Sequence, residues 1–196
     1  MQQWSFNQII LASHNEGKIA ELKTMVEPLG LKVLSSNDLN LPEVVEDQPT
    51  FIGNATKKAE EISKATNLPA LADDSGLCVD ALDGKPGVHT ARYSRTYERL
   101  MEEIAQVTAH DRGAHFVCAL AFAVPGHGTK VFEGQCHGTI TTTPLGDNGF
   151  GYDPVFIPKG EERTFAQMQP KEKKQFSHRG KAMQLFLSHL NDITVS

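Results

Sequence analysis

Apolar positions along this chain recur with two periods, one of strands and one of helices. Residues 8–13 form a short apolar run ending in small and polar residues, which predicts a first strand. Directly after it Ile19, Leu22, Val26 and Leu29 recur at helical spacing until Pro28 and Gly30 stop the segment, with Ser13 or Asn15 available as N-cap. Residues 31–35 (LKVLS) predict a second strand, so the chain opens with a βαβ unit, which strongly favours a right-handed crossover and parallel pairing. An acidic, proline-containing loop follows over 37–49 and carries Glu43, Glu46 and Asp47. Thr50 can cap a helix reaching about Asn67, in which Ala55, Ala59, Ile62 and Ala65 make a narrow face suited to close packing.

Residues 69–72 (PALA) and 77–82 (LCVDAL) predict strands on either side of a turn at Asp73-Asp74-Ser75-Gly76. A loop with two glycines and a proline (DGKPG) leads to Ala91-Arg92-Tyr93-Ser94 and to a helix containing Leu100, Met101, Ile104 and Val107. Residues 115–124, 129–133 and 138–142 are β-rich segments joined by glycine-containing turns, an antiparallel section. The stretch 146–158 (GDNGFGYDPVFIP) is turn-rich and then apolar. The chain ends in a helix that Ser177 can cap, with Ala182, Leu185, Phe186 and Leu190 on one face. No repeat, low-complexity tract or clear linker interrupts the pattern. It describes a mixed α/β chain folded as one unit or as two interdependent lobes.

Composition narrows this picture. A chain of 196 residues, 39% hydrophobic and 22% charged, can bury a core without disulfide staples. No window approaches the roughly 18 consecutive apolar residues that a membrane span requires. The first residues, MQQWSFNQ, have neither a basic segment nor an apolar stretch of signal-peptide length, so the chain reads as cytoplasmic. Cys78, Cys118 and Cys136 are odd in number and never in a CxxC pair, the pattern of reduced core thiols rather than of a disulfide set or structural zinc. A net charge of -5 without a long basic run argues against capture of a nucleic-acid backbone. Any nucleotide partner is then a small molecule.

Four stretches carry chemistry, each with a bland reading beside the functional one. Ser13-His14-Asn15-Glu16-Gly17-Lys18 lies at the carboxyl end of a strand and the start of a helix, where backbone N–H groups and Lys18 suit a phosphate; equally, it is an N-cap with an exposed lysine. Asp73-Asp74-Ser75-Gly76, with Glu46 and Asp47 in an earlier loop, offers the carboxylates that Mg²⁺ takes alongside water and phosphate oxygens, and it is also good turn chemistry. In Phe150-Gly151-Tyr152-Asp153-Pro154 glycines on both sides free a ring to lie against a base while Pro154 holds Asp153; the commoner fate of such a pattern is a turn with a core aromatic. Ser177-His178-Arg179-Gly180 with Lys173 upstream is a cationic cluster at a helix start, or a solvated cap.

In order along the chain, SHNEGK, ADDSG, PGVHTARYS, GFGYDPVF and SHRGKA resemble the RdgB-like inosine triphosphate pyrophosphatase (ITPase) family, over about residues 9–190. The resemblance implies an α/β fold with an elongated mixed β-sheet, flanking helices and two lobes with a substrate cleft, formed by the whole chain as a single ITPase-like domain. It implies an Mg²⁺-dependent enzyme that removes non-standard purines (ITP, dITP, XTP) from the nucleotide pool as the monophosphate and pyrophosphate, and a homodimer. Matched by motif, residues Ser13 to Lys18 form the phosphate loop, Lys58 and Lys173 face phosphates, and Glu46 and Asp74 hold the metal. Asp74 is the base that activates water, with Asp73 the alternative, and Ser75 lies next to the substrate. Phe150, Gly151, Tyr152 and Asp153 hold base and sugar, and His178 with Arg179 donates to a 6-oxo group where adenine presents an amino donor.

The chain departs from the family pattern in having His14 where many relatives carry Gly, Gly53 before Asn54, and a short segment, RTYERLMEE, after Ser94. A Maf-like pyrophosphatase of pyrimidine nucleotides and a nucleotide binder without turnover are the competing readings. The first lacks GFGYDP and SHRG, and the second has no need of an intact Asp73-Asp74 pair beside three lysines.

Overall fold

The computed structural model describes residues 6–194. The opening pattern forms as expected, with strand β1 (Gln8–Leu11), helix α1 (Glu16–Val26) and strand β2 (Lys32–Ser35). β1 and β2 are parallel, Gln8 opposite Lys32 and Leu11 opposite Ser35. Ile9, Ile10 and Leu11 are all fully buried, as an unbroken apolar run must be when both faces of a strand are covered. Asn15 caps α1 through its side chain, which accepts from Lys18 N at 3.1 Å, and Ile19, Leu22 and Val26 face inward. Leu29 belongs instead to a short 3-10 turn that Gly30 closes at φ 78°, and it is exposed.

Helix α2 (Phe51–Thr66) starts where Thr50 Oγ1 accepts from Gly53 N at 2.9 Å. Its inward face is Asn54, Ala55, Ala59, Ile62 and Ser63, while Ala65 points outward because the 3.6-residue period brings the next turn round to Thr66.

Strand β3 (Ala70–Val79) corrects the expectation of two strands around a turn. It continues through Asp73-Asp74-Ser75-Gly76 because the two carboxylates are bonded by Lys18 and Asn54 rather than by the N–H groups of a local turn. β3 pairs parallel to β1, and the short strand β4 (Lys85–Pro86) lies antiparallel on its far end. Helix α3 (Thr90–Tyr93) and helix α4 (Glu98–Glu103) follow. α4 stops sooner than the apolar spacing implied: Ile104 is its C-cap, and Val107 N bonds back to Ile104 O in a turn.

Strand β5 (Gly113–Val124) and strand β6 (Gly128–Ile140) are joined by a tight turn in which His127 N donates to Val124 O. β6 is a single strand, not the two expected, with Gly138 inside it. A side chain at 138 would overlap the Ile157 carbonyl of strand β7 (Phe156–Pro158), which pairs antiparallel at that position. Helices α5 (Pro170–Lys174) and α6 (His178–Thr194) complete the chain. Ser177 serves α6 as expected, its Oγ accepting from Gly180 N at 3.1 Å. Ala182, Met183, Phe186 and Leu190 are buried on that helix and Leu185 is exposed, one residue round from Phe186.

The strands form one mixed seven-stranded sheet in the order β2-β1-β3-β5-β6-β7, with β4 on β3. The chain divides into two compact units: unit 1 is the chain up to Asp74, Ala119–Glu133 and the chain from Ala182, and unit 2 is Ser75–Cys118 with Gly134–Lys181. Unit 1 has a core of small residues, Ala55 and Ala59 of α2 against Ala70, Ala72, Ala119 and Ala121, which lets helix and sheet approach closely. The core of unit 2 is larger in grain, with Phe156 4.7 Å from Phe116 and 5.3 Å from Phe165 between ring centroids. The three cysteines are thiols rather than disulfides. Among the described residues no helix is long and apolar enough to cross a membrane.

Candidate active site

In unit 1 the strand ends and the first turns of α1 and α2 gather the charged residues. The segment Ser13 to Lys18 is both a helix start and something more. Ser13 Oγ accepts from Asn15 N at 3.1 Å, Asn15 is the cap, and Gly17 leaves room for the Asn15 Oδ1 atom. Lys18 turns inward, its Nζ 2.9 Å from Asp73 Oδ2. His14 Nε2 lies 2.8 Å from the Leu41 carbonyl, and Asn37 Nδ2 donates to both His14 O and Glu16 Oε1, so the acidic loop is tied back onto this turn.

The acidic loop sorts its carboxylates. Lys58 Nζ donates to Glu46 Oε1 at 2.8 Å, and Lys57 Nζ to Asp47 Oδ1 at 2.8 Å, which draws Asp47 to the surface. Asp74 accepts from Asn54 Nδ2 at 3.0 Å, and Asn54 Oδ1 accepts from Gln48 N at 2.9 Å. Asn54 therefore links the acidic loop to β3 while 1% exposed. It was not among the sequence candidates, although a buried amide on a helix face of alanines is a signal that the sequence does carry.

Asp73 and Asp74 are adjacent and buried, yet they differ in electrostatics. Asp73 has a direct ammonium partner. Asp74 has a neutral amide partner, and its carboxyl is pushed up to about 6 by burial, with the charges of Glu46 and Asp73 adding to that and Asn54 and Lys58 opposing it. Among the described residues no three acidic, histidine or cysteine side chains converge as a self-sufficient metal cage. Two carboxylates whose mutual repulsion is felt at a buried site are what a hard dication takes when phosphate oxygens and water supply the remaining ligands. Glu46 and Asp74 fit magnesium in that sense.

Unit 2 holds the other sequence candidates. Gly149 at φ 74° and Gly151 at φ 60° flank Phe150, whose ring is 81% exposed. A side chain at Gly149 would overlap the Asp153 carboxylate. Asp153 is buried in the loop, accepting from Phe150 N at 3.0 Å and from Lys173 Nζ at 2.7 Å. Lys173 Nζ also lies 5.0 Å from the centre of the Phe150 ring, so this cation sits with the aromatic loop. Tyr152 is buried in the core, and its hydroxyl donates to Ser94 O at 3.3 Å. His178 stacks on Phe116, centroids 5.1 Å apart and planes 16° from parallel, which fixes the first turn of α6 where Arg179 follows. Ser75 opens the unit as a half-buried residue of β3.

A protein-family model described as Ham1 family matches residues 9–189, nearly the whole chain. The chain belongs to the Ham1 family. The resemblance stated from its motifs is thus borne out, and so is the mixed α/β fold. A dITP/XTP pyrophosphatase of Gluconobacter oxydans is 46% identical over 187 residues, covering 93% of this chain and 90% of that protein. A dITP/XTP pyrophosphatase of Bacillus licheniformis is 46% identical over 184 residues, covering 90% and 94%. The solved structure of a HAM1 protein from Coxiella burnetii superposes with a TM-score of 0.88 at 36% identity, covering 95% of this chain and all of that one.

Proposed function

We propose that this Ham1-family protein is a magnesium-dependent nucleoside triphosphate pyrophosphatase that hydrolyses ITP, dITP and XTP to the monophosphate and pyrophosphate. The observation that carries the reading is the unit 1 cluster, in which a buried, weakly acidic Asp74 sits among Asn54, Glu46 and Lys58 next to the Lys18–Asp73 pair. Relatives named dITP/XTP pyrophosphatase support the substrate class.

The roles follow from charge. Lys18 and Lys58 offset the phosphates' negative charge, assisted by the turn at Ser13 to Gly17. Asp74, buried with a neutral amide as its hydrogen-bond donor, accepts the proton of the attacking water. Magnesium, which Glu46 and Asp74 would hold, supplies charge neutralisation at the phosphate oxygens. Ser75 lies next to the substrate. In unit 2 Phe150 stacks on the base, Gly151, Tyr152 and Asp153 keep its loop in shape, and Lys173 adds positive charge beside it. His178 and Arg179 donate to a 6-oxo group, so adenine leaves those donors without acceptors. A homodimer, which rests on the resemblance, working in the cytoplasm completes the proposal.

Pyrophosphate release from ITP, dITP, XTP, GTP, ATP, dTTP and UTP, each with Mg²⁺ and with EDTA, tests this directly. Metal-dependent preference for ITP and XTP is expected; a preference for pyrimidines, or no turnover on any of them, would overturn it. Phe150 offers a second check, because its ring is too exposed to contribute to the core. Phe150→Ala should leave stability within about 0.5 kcal/mol of the parent. It should raise KM for ITP and ATP alike by about tenfold, the worth of one stacked base. A thermal melt and initial rates on both nucleotides decide it, and an unchanged KM removes Phe150 from base binding.

A further inference from the structure

Tyr93, Arg99 and Glu103 form a closed triad in unit 2, within and beside the segment that departs from the family pattern. Tyr93 Oη donates to Glu103 Oε2 at 2.7 Å, Arg99 Nε donates to Glu103 Oε1 at 3.1 Å, and Arg99 Nη1 donates to the Tyr93 carbonyl at 2.8 Å. The guanidinium carbon also lies 4.1 Å from the centre of the Tyr93 ring. A lone exposed ion pair holds little. Here each partner is held at two points, by planar groups that lock one another's rotamers.

The triad spans the chain between α3 and α4 and holds it in one conformation. That chain is the support of the aromatic loop: Tyr152 donates to Ser94 O, and the backbone of Gly151 faces the Arg95 carbonyl at a distance that a Cβ would close to 3.8 Å. Tyr93 and Tyr97 pack against the same core that buries Tyr152. The Tyr93 phenol is held well above its usual range by burial and by donation to Glu103, so it stays a donor. Arg99 and Glu103 are both felt electrostatically at the Tyr152 hydroxyl. Tyr152 in turn lies between Gly151 and Asp153, in the loop that presents Phe150.

We propose that Tyr93, Arg99 and Glu103 are positioning residues for base recognition: by fixing the backbone at Ser94 and Arg95 they hold Tyr152, and through it the Phe150 loop, in the conformation that stacks on a base. The proposal rests on the nucleotide reading above. It distinguishes this triad from groups that act on phosphates.

Glu103→Ala tests it, read in two independent ways. Amide hydrogen exchange over 148–153 should quicken by about fivefold, with exchange in β1 unchanged, because loss of a shared partner loosens the segment locally. KM for ITP should rise by about fivefold with kcat changed less than about twofold, while inhibition by inorganic tripolyphosphate, which has no base, stays the same. Glu103→Gln, which still accepts from Tyr93, should restore most of the parent KM, and Tyr93→Phe should repeat the Glu103→Ala effects. Unchanged exchange over 148–153, an unchanged KM, or a tripolyphosphate inhibition constant that rises in step with KM would overturn the proposal. Absence of ITP turnover in the parent enzyme would sink the nucleotide reading instead, and the exchange result would still decide whether the triad holds the loop.

Discussion

Asp74→Asn should lower kcat for ITP hydrolysis by about a thousand-fold, within the range that loss of a general base produces, while ITP still binds. Two adjacent buried aspartates raise the question of which is the base, and the partners answer it. Asp73 is matched by the Lys18 ammonium at 2.9 Å, so protonating it would sacrifice an ion pair. Asp74 receives one hydrogen bond from a neutral amide and is raised to about 6 by burial and neighbouring negative charge, so it takes a proton at modest cost. The asparagine variant keeps the shape and can turn its amide oxygen toward Asn54 Nδ2, the donor that remains, since Asn54 Oδ1 is occupied by Gln48 N. Pyrophosphate release at saturating ITP and equilibrium binding of ITP measure the two parts. A kcat within tenfold of the parent would remove Asp74 from the chemistry, and recovery at high Mg²⁺ would reduce it to a metal ligand.

What the sequence revealed divides along the distance between interacting residues. The βαβ opening, the Thr50 and Ser177 caps and the core face of α2 were legible because period and capping are local, spanning three or four residues. Asp73 to Gly76 misled for the same reason. Their turn chemistry is local, whereas the bonds that keep them in a strand come from Lys18, 55 positions away, and Asn54, 20 positions away. The stretch between Glu133 and Gly138 looked like a turn between strands, whereas β6 runs through it and Gly138 is the place where β7's carbonyl approaches. Edge effects of one residue, such as Ala65 and Leu185, follow from small drift in helix phase that a list of apolar positions does not resolve.

The motifs are specific enough to name candidate residues, but they do not name those residues' partners. Nothing in SHNEGK says that Lys18 turns to a buried aspartate rather than to solvent, or that His14 reaches the Leu41 carbonyl. Lys173 was assigned to phosphates by resemblance; here its ammonium bonds Asp153 and lies over Phe150, a placement set by the fold of unit 2. Asn54 went unassigned although it lies on the alanine face of α2, because a polar residue inside a helix has no period of its own to draw attention to it. Arg99 and Glu103 lie in the segment that departs from the family pattern and Tyr93 in the motif just before it, and only the fold brings the three together.

Lys18→Met should cost about 2–3 kcal/mol of stability and lower Tm by roughly 4–10 °C in a chain of this size. The methionine keeps most of the aliphatic stem, so packing along α1 changes little. The charge does not survive. Asp73 is 2% exposed and its neighbour Asp74 is a second carboxyl, so the substitution takes a cationic partner from Asp73 in a place where water screens charge weakly. This cost is below that of breaking a fully buried pair because Lys18 is itself 26% exposed. If the penalty comes from the charge of Asp73 rather than from lost contacts, Asp73→Asn in the same chain should return most of it, because the double variant buries a neutral amide instead of a carboxylate that has lost its Lys18 partner. Urea denaturation of the two single variants and the double variant gives the cycle. A Lys18→Met protein within about 0.5 kcal/mol of the parent, the scatter of ordinary surface changes, would mean that Asp73 draws its stability from elsewhere in unit 1. Lys18 would then not be what distinguishes Asp73 from Asp74 as a proton acceptor.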